Sequence, residues 1–394
     1  MTLQPAVGAR DLLPKDVRVN RWICARLEQV YRRWGFQELM PPSIERLDTL
    51  QAAGGIDADA VLKVIATEPL GLRPEMTASI ARAAGTRLAN LPRPLRFWYS
   101  GNVFRRDGEG EGEQLREDLQ SGVELVGAPN LAGDVELISL LLCATAALPF
   151  DPDQDVTLLI GHSGLFQGLL EGFAGQKRDA LAAALRQFNP LAIAAIGLEP
   201  CEAERALRLL RLRGEPARVM DQLRGAFSSN GALDHLDTLI RLITPLAMRC
   251  GIRLQLDPTY QPGFGFYDGV VLRVVCRGAH ALESIASGGR YDQLLQHFSV
   301  ASSPTSGIGF GFRIEAIRAL LEQGDSLPLG AACAADVLVA YASDELLSAA
   351  MARLHALHRE QRSAELLPGP CASRNAAAAI AAERSISQVV WLED

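Results

Sequence analysis

Apolar positions along this chain recur with two different periods, and the changes of period divide it into parts. Between residues 15 and 34, Ile23, Leu27, Val30 and Trp34 recur at helical spacing, and Gly35 follows as a stop. GFQELMPPSIERLDTL then reads as a strand broken by Pro41 and Pro42. LRFWYSGNVFR (95–105) and QSGVELVG (120–127) read as strands of an antiparallel hairpin, joined by the acidic run GEGEGE. Residues 163–250 are rich in Leu, Ala and Arg at helical period, as in AERALRLLRL and LDTLIRLITPLAM, which predicts a separate helical insertion. Strand signals return in FGFYDGVVLRVVC (264–276), a helix is expected at ASGGRYDQLLQHF, and GIGFGFRIEAIRALL reads as a strand entering a helix. QGDSLPLGAA (323–332) reads as a linker. Beyond it DVLVAYA, ELLSAAMARLHALHRE, AELLP, NAAAAIAAE and QVVWL alternate as a small βαβαβ unit.

Composition narrows the class of protein. The chain has 394 residues, 48% hydrophobic and 22% charged, which is globular composition and excludes a disordered or collagen-like chain. Its longest apolar stretch, Leu137 to Phe150, is too short to cross a bilayer, and MTLQPAVGARDLLPKD carries no secretory signal pattern. A soluble cytoplasmic protein without a membrane partner is expected. The seven cysteines form no CxxC pair and read as reduced thiols. His355 and His358 share a helix with Arg353, Arg359 and Arg362, which reads as a solvated face, so no metal is expected. The net charge of −7 weighs against nucleic acid, without excluding a local basic groove.

Two short motifs set polar side chains beside glycines. In QSGVE the strand period of two puts Gln120, Gly122 and Glu124 on one face, so the missing side chain opens a slot for a small polar ligand. In GFYDG, read as strand, Gly265, Tyr267 and Gly269 likewise share a face, and strand glycines mark close approach. Bland readings stand beside these: Glu124 paired with an arginine, Tyr267 in the core, the glycines as bulges.

Taken with LRPEMTASIAR (72–82), VFRRD (103–107), ASGGRYD (286–292) and GIGFGFRIEAI (307–317), these motifs resemble histidyl-tRNA synthetase in order and spacing, over about residues 1–325 and more weakly in the tail. The resemblance makes the segment around Pro42 similar to class II motif 1, VFRRD with QSGVELVG similar to motif 2, and GIGFGFRIEAI similar to motif 3. It implies an α+β class II aminoacyl-tRNA synthetase-like fold: an antiparallel sheet flanked by helices, with a helical insertion and a small C-terminal α/β domain. The expected divisions are 1–162 with 251–325 for the core, 163–250 for the insertion and 333–394 for a truncated anticodon-binding-like domain. The resemblance also implies a histidine pocket. Glu75 and Gln120 would hold the α-ammonium, Arg105 would face the carboxylate, Glu124 and Tyr267 would bond the imidazole nitrogens, and Thr77 and Tyr291 would complete the wall.

Departures from the synthetase pattern bear on catalysis. The family's catalytic arginine is replaced by Pro262 in YQPGFGFYDG, which offers neither charge nor donor to a developing phosphate charge. Ala316 stands where motif 3 carries its ATP-facing arginine; Arg313 lies three residues earlier. The motif 2 loop is acidic, with Glu109, Glu111, Glu113 and Glu117 against Arg116, and the helix NAAAAIAAE has no basic residue before Arg384. A synthetase-like core that keeps amino-acid recognition and loses adenylation resembles the regulatory subunits of ATP phosphoribosyltransferase. That family implies no catalysis, no cofactor and no tRNA. It implies a short-form catalytic subunit as partner in the first step of histidine biosynthesis, L-histidine as effector, and a homodimer through the motif 1 region. Two other readings are an active histidyl-tRNA synthetase with divergent motifs and a stand-alone histidine-binding or RNA-associated paralogue.

Overall fold

The computed structural model describes residues 5–6, 8–52, 56, 61–107, 114–129, 131–226, 231–299, 306–324, 327 and 335–393. The acidic run 108–113 and most of the expected linker lie outside the described residues. The chain forms two compact units, residues 1–327 and 328–394.

The first unit opens with α1 (Pro14–Arg33). Pro14 suits the first helical position, and the Asp16 carboxylate accepts the Leu13 N–H at 3.1 Å. Val19, Ile23, Leu27, Val30 and Tyr31 form its buried stripe, and Gly35 ends it at φ +79°. Pro41 and Pro42 separate β1 (Gln37–Glu38) from β2 (Ile44–Arg46). After α2 (Leu47–Leu50), β3 (Lys63–Val64) and β4 (Leu70–Leu72) pair with β2 in a small antiparallel sheet of order β2-β4-β3, and α3 (Thr77–Gly85) follows. The expected hairpin is β5 (Leu95–Asp107) and β6 (Gln114–Val126), antiparallel from Leu95↔Val126 onward. Next come α4 (Leu131–Ala146) and β7 (Thr157–His162).

A run of helices leaves from β7: α5 (Ser163–Glu171), α6 (Gly175–Arg186), α7 (Pro190–Ala195), α8 (Pro200–Arg211), α9 (Pro216–Ala226) and α10 (Gly231–Arg249). It returns through β8 (Arg253–Leu256), which lies parallel to β7. Then follow β9 (Val270–Arg277), β10 (Leu282–Arg290), α11 (Asp292–Phe298), β11 (Gly307–Arg313) and α12 (Ile314–Gln323). The main sheet has the order β1-β5-β6-β11-β10-β9-β7-β8 among the described residues. Its six central strands are antiparallel, as expected, while the outer pairs β1/β5 and β7/β8 are parallel.

One expectation fails here. Residues 264–269 are a loop rather than the start of a strand, and β9 begins only at Val270. Gly265, Tyr267 and Gly269 therefore share no strand face. Packing overrides the alternating pattern. Phe264 and Phe266 stack at 5.5 Å, Phe266 meets Tyr267 at 4.6 Å, and the cluster joins Met76, Ile80 and Tyr99 against the sheet.

The two faces of the sheet differ. The face formed by Val123, Leu125, Ile308, Phe310 and Phe312 is buried under α1, α4 and α12, with Tyr31 6.3 Å from both Trp98 and Phe310. A buried ion network ties α4 to the end of β10 and to α10. Asp134 meets Arg290 at 2.5 Å through one oxygen and His235 at 2.7 Å through the other, and Arg290 also reaches Asp292 at 3.1 Å. The opposite face carries α3, α11 and the 264–269 loop.

In the second unit, β12 (Val337–Tyr341), α13 (Leu347–Arg359), β13 (Ala364–Leu366), α14 (Arg374–Glu383) and β14 (Gln388–Leu392) form the expected βαβαβ unit, a parallel sheet of order β13-β12-β14. Strand β12 is buried on both sides, its odd positions against α13 and its even positions against α14. Helix α14 begins at Arg374, one residue before the expected start, because the Ser373 hydroxyl caps it by accepting the Ala376 N–H. His358 bonds the Ala364 carbonyl oxygen at 2.9 Å, and no metal-binding cluster occurs among the described residues.

Candidate functional site

The site grows from sheet register. Gln120, Gly122 and Glu124 share one face of β6, as the alternation predicts. Across the hairpin they oppose Gly101, Tyr99 and Phe97; on the other side they oppose Arg313, Gly311 and Gly309. A Cβ added at Gly309 would collide with the Glu124 carboxylate, and one at Gly311 with the Gln120 amide. The two glycines thus let both polar side chains lie across β11, forming a floor with no side chains of its own.

Glu124 is the centre. It is 1% exposed and accepts the Thr77 hydroxyl at 2.7 Å on one oxygen and the Tyr291 hydroxyl at 2.5 Å on the other. Thr77 begins α3, and Tyr291 follows β10, where the Arg290–Asp134 pair fixes the end of the strand. Burial pushes the Glu124 carboxyl up to about 8; the two hydroxyls offset part of the shift, and the nearby Glu75 adds to it. Glu124 is therefore largely protonated at neutral pH in this arrangement.

Glu75 is also buried and raised, by desolvation first, and its shift is offset by hydrogen bonds. Its carboxylate spans the first turn of α3, accepting the Thr77 N–H on one oxygen and the Ala78 N–H at 2.8 Å on the other. Arg105 donates to the Pro74 carbonyl oxygen at 2.9 Å, and its guanidinium lies 5.4 Å from the Phe264 ring centre. Gln120 has its side-chain oxygen buried without a hydrogen-bond partner, an acceptor that a ligand N–H would satisfy. Tyr267 lies with its ring against Gly289. Burial keeps Tyr99, Tyr267 and Tyr291 neutral, well above the usual phenol range, with Glu124 adding to each shift.

All seven expected residues thus gather on the same sheet face, though not in the expected contacts. Thr77 and Tyr291 bond Glu124 directly rather than only lining a wall, and Glu75 is engaged as a helix cap. Sequence reasoning missed Tyr99. It is 2% exposed, directly opposite Gly122, and its hydroxyl would meet a Cβ at either Gly122 or Gly311. It also missed Arg290, whose buried pairing orients the residue next to it. Of the two positions that depart from the synthetase pattern, Pro262 lies in the loop leading to Tyr267, and Ala316 lies in the first turn of α12. Arg313 precedes that turn, with one guanidinium nitrogen 3.5 Å from the Ser284 carbonyl oxygen.

Comparison with known proteins agrees with this architecture. The family model for histidyl-tRNA synthetase matches residues 8–317. An ATP phosphoribosyltransferase regulatory subunit from Synechococcus sp. (strain RCC307) is 49% identical, with all of both chains covered. The solved structure of an ATP phosphoribosyltransferase regulatory subunit/histidyl-tRNA synthetase from Bacillus halodurans C superposes with a TM-score of 0.80 at 25% identity, over 99% of this chain and 98% of that one. Histidyl-tRNA synthetase from Nostoc sp. PCC 7120 shares the fold at a TM-score of 0.77 and 20% identity, over 98% of this chain and 90% of that one. On relatives matched end to end and on a site assembled from the same motifs, the chain belongs to the ATP phosphoribosyltransferase regulatory subunit family, built on the class II histidyl-tRNA synthetase-like fold.

Proposed function

We propose that this protein is a non-catalytic subunit that joins the short catalytic subunit of an ATP phosphoribosyltransferase, supports the first step of histidine biosynthesis, and senses L-histidine in the Glu124 pocket. One observation carries this reading: the seven polar residues gather around Glu124, while a proline stands in the loop that leads to Tyr267. The lining matches the chemistry of histidine. Gln120 and Glu75 suit the ammonium, Arg105 the carboxylate, and Glu124 and Tyr267 the ring nitrogens, with Thr77 and Tyr291 holding Glu124 in place. Pro262 and Ala316 leave the phosphate side without the cations that adenylate formation needs. Coupling from this pocket to a separate active site is allosteric: histidine must bind two states of the assembly with different affinity.

The wider reading follows the family. The protein works in the cytoplasm as a homodimer through the region around Pro42 and does not bind tRNA. Its working parts are the core (1–162 and 251–325), the helical insertion (163–250) and the C-terminal domain (333–394). The test is co-purification with the short catalytic subunit, then assay of phosphoribosyl transfer to ATP with and without histidine. The complex should be active and inhibited by histidine. Failure to associate, or histidine-dependent ATP–pyrophosphate exchange by the pure protein, would overturn the reading.

A further inference from the structure

A second cavity, of about 530 Å³, opens on the same face of the sheet as Glu124 but toward the β8 edge. Register places it there: Gly122 opposes Gly311, Gly311 opposes Ser287, Ser287 opposes Arg273, Arg273 opposes Leu159, and Leu159 opposes Gln255. The last three of these line the cavity, and the insertion contributes Arg186 and Phe188. Its volume is that of a small-molecule site.

The charge of this cavity is lopsided. Arg186, Arg213, Arg253, Arg273 and Arg277 line it against two carboxylates, Asp155 and Asp257, leaving three positive charges in excess. The carboxylates serve to position the arginines. Asp155 grips Arg253 at 2.5 Å and Arg277 at 3.3 Å, one oxygen to each. Asp257 lies 3.6 Å from Arg213 and uses its other oxygen on the Thr259 N–H and hydroxyl. Rings hold two of the guanidiniums: Arg213 also lies 3.9 Å from the centre of Phe188, and Arg273 lies 4.7 Å from that of Tyr260. Held this way, the forks lose little freedom on binding an anion.

Two observations point to an acceptor that the chain does not supply. The Arg273 Nε–H is buried with no hydrogen-bond partner, although buried donors are nearly always paired. The side chain of Arg186, at the end of α6, makes no hydrogen bond or ion pair with another described residue. In a chain whose net charge is −7, this concentration of arginine is local rather than general.

We infer that this cavity binds a small polyanion through a diphosphate or triphosphate group. Guanidinium forks match phosphate oxygens in pairs, and an excess of three charges calls for more than one carboxylate. Phe188 and Tyr260 each already carry a guanidinium on one face, so arginines rather than an aromatic slot dominate the lining, and the phosphate chain is the part recognised. The ligand differs from the amino acid of the Glu124 pocket, so the two do not compete for one site.

Calorimetric titration of the full chain with pyrophosphate, tripolyphosphate and ATP tests this assignment, using the wild type, Arg186→Gln and Arg273→Gln. All three probes should bind the wild type, tripolyphosphate and ATP within about threefold of each other, and affinity should fall as salt is raised. Each variant should lose about tenfold or more, the scale of one charge-assisted hydrogen bond. Arg186 is exposed on a helix end, so its variant keeps the fold even if Arg273→Gln does not. Absence of binding by all three probes, unchanged affinity in Arg186→Gln, or ATP binding tenfold tighter than tripolyphosphate would overturn it.

Discussion

Replacing Glu124 by Gln should change how stability depends on pH as well as how the protein binds histidine. The carboxyl has an ordinary value of 4.5 and is pushed to about 8 in the folded chain, chiefly by burial. Between those values the folded state holds a proton that the unfolded state has lost. The contribution is fully present below pH 4.5 and is lost as pH rises through 8, at up to about 1.4 kcal/mol per pH unit. Gln keeps the shape of the protonated acid, with an oxygen to accept from Tyr291 and an amide to donate to the Thr77 oxygen. It does not titrate, so Glu124→Gln should gain on the wild type by about 3 kcal/mol between pH 5 and pH 7.5. Urea unfolding at several pH values in that range measures the difference. For histidine, loss of a paired buried acceptor should cost about 1–3 kcal/mol, or roughly 5- to 150-fold in affinity. Accepting a ring N–H of histidine should also favour ionised Glu124 and release a fraction of a proton near pH 7, visible as a dependence of titration heat on buffer. Parallel pH profiles for the two proteins would refute the protonated-Glu124 argument, and normal histidine binding by the variant would place the effector site elsewhere.

Four further outcomes are expected. Histidine-dependent ATP–pyrophosphate exchange by the purified protein should stay at background, given Pro262 and Ala316. Tyr267→Phe should weaken histidine binding by about 1–3 kcal/mol in calorimetry while leaving the melting temperature nearly unchanged, because only a hydroxyl is lost. Gly309→Ala should displace Glu124, costing about 1–3 kcal/mol of stability in urea unfolding and reducing histidine affinity at least as much as Glu124→Gln does. Asp134→Ala should cost about 3 kcal/mol in the same assay, since it removes the buried carboxylate from Arg290 and leaves that guanidinium only the half-buried Asp292.

The parts of the fold legible in the chain are those whose signal is local. The stripe of α1 and the alternation of Gln120, Gly122 and Glu124 follow from their own periods and hold in three dimensions. The 264–269 loop misled because glycine and aromatic residues alternate there with the period of a strand, while the aromatic rings gain more by folding onto Met76 and Tyr99. Tyr99 reads as one more aromatic in LRFWYSG. Only the hairpin register, Leu95 against Val126, sets it opposite Gly122, and that register depends on a connection whose length gives no strong turn signal. The five-arginine cavity left no local trace, because its residues come from widely separated segments brought together by the sheet and the insertion.

The main sheet ends in very short strands, β1 with two residues and β8 with four. Each joins its neighbour in parallel, and Pro41 and Pro42 follow close behind β1. These strands present few outward backbone N–H and C=O groups of their own, and beyond β1 the edge of β5 is engaged by Arg73, whose carbonyl oxygen accepts the Phe104 N–H and whose side chain donates to the Asn102 carbonyl oxygen. A second molecule finds no long template on which to add a strand, the usual route by which wide sheets stick together and precipitate. Self-recognition by backbone is thus blunted at both margins. Productive assembly then depends on side-chain surfaces, which substitution can tune one residue at a time.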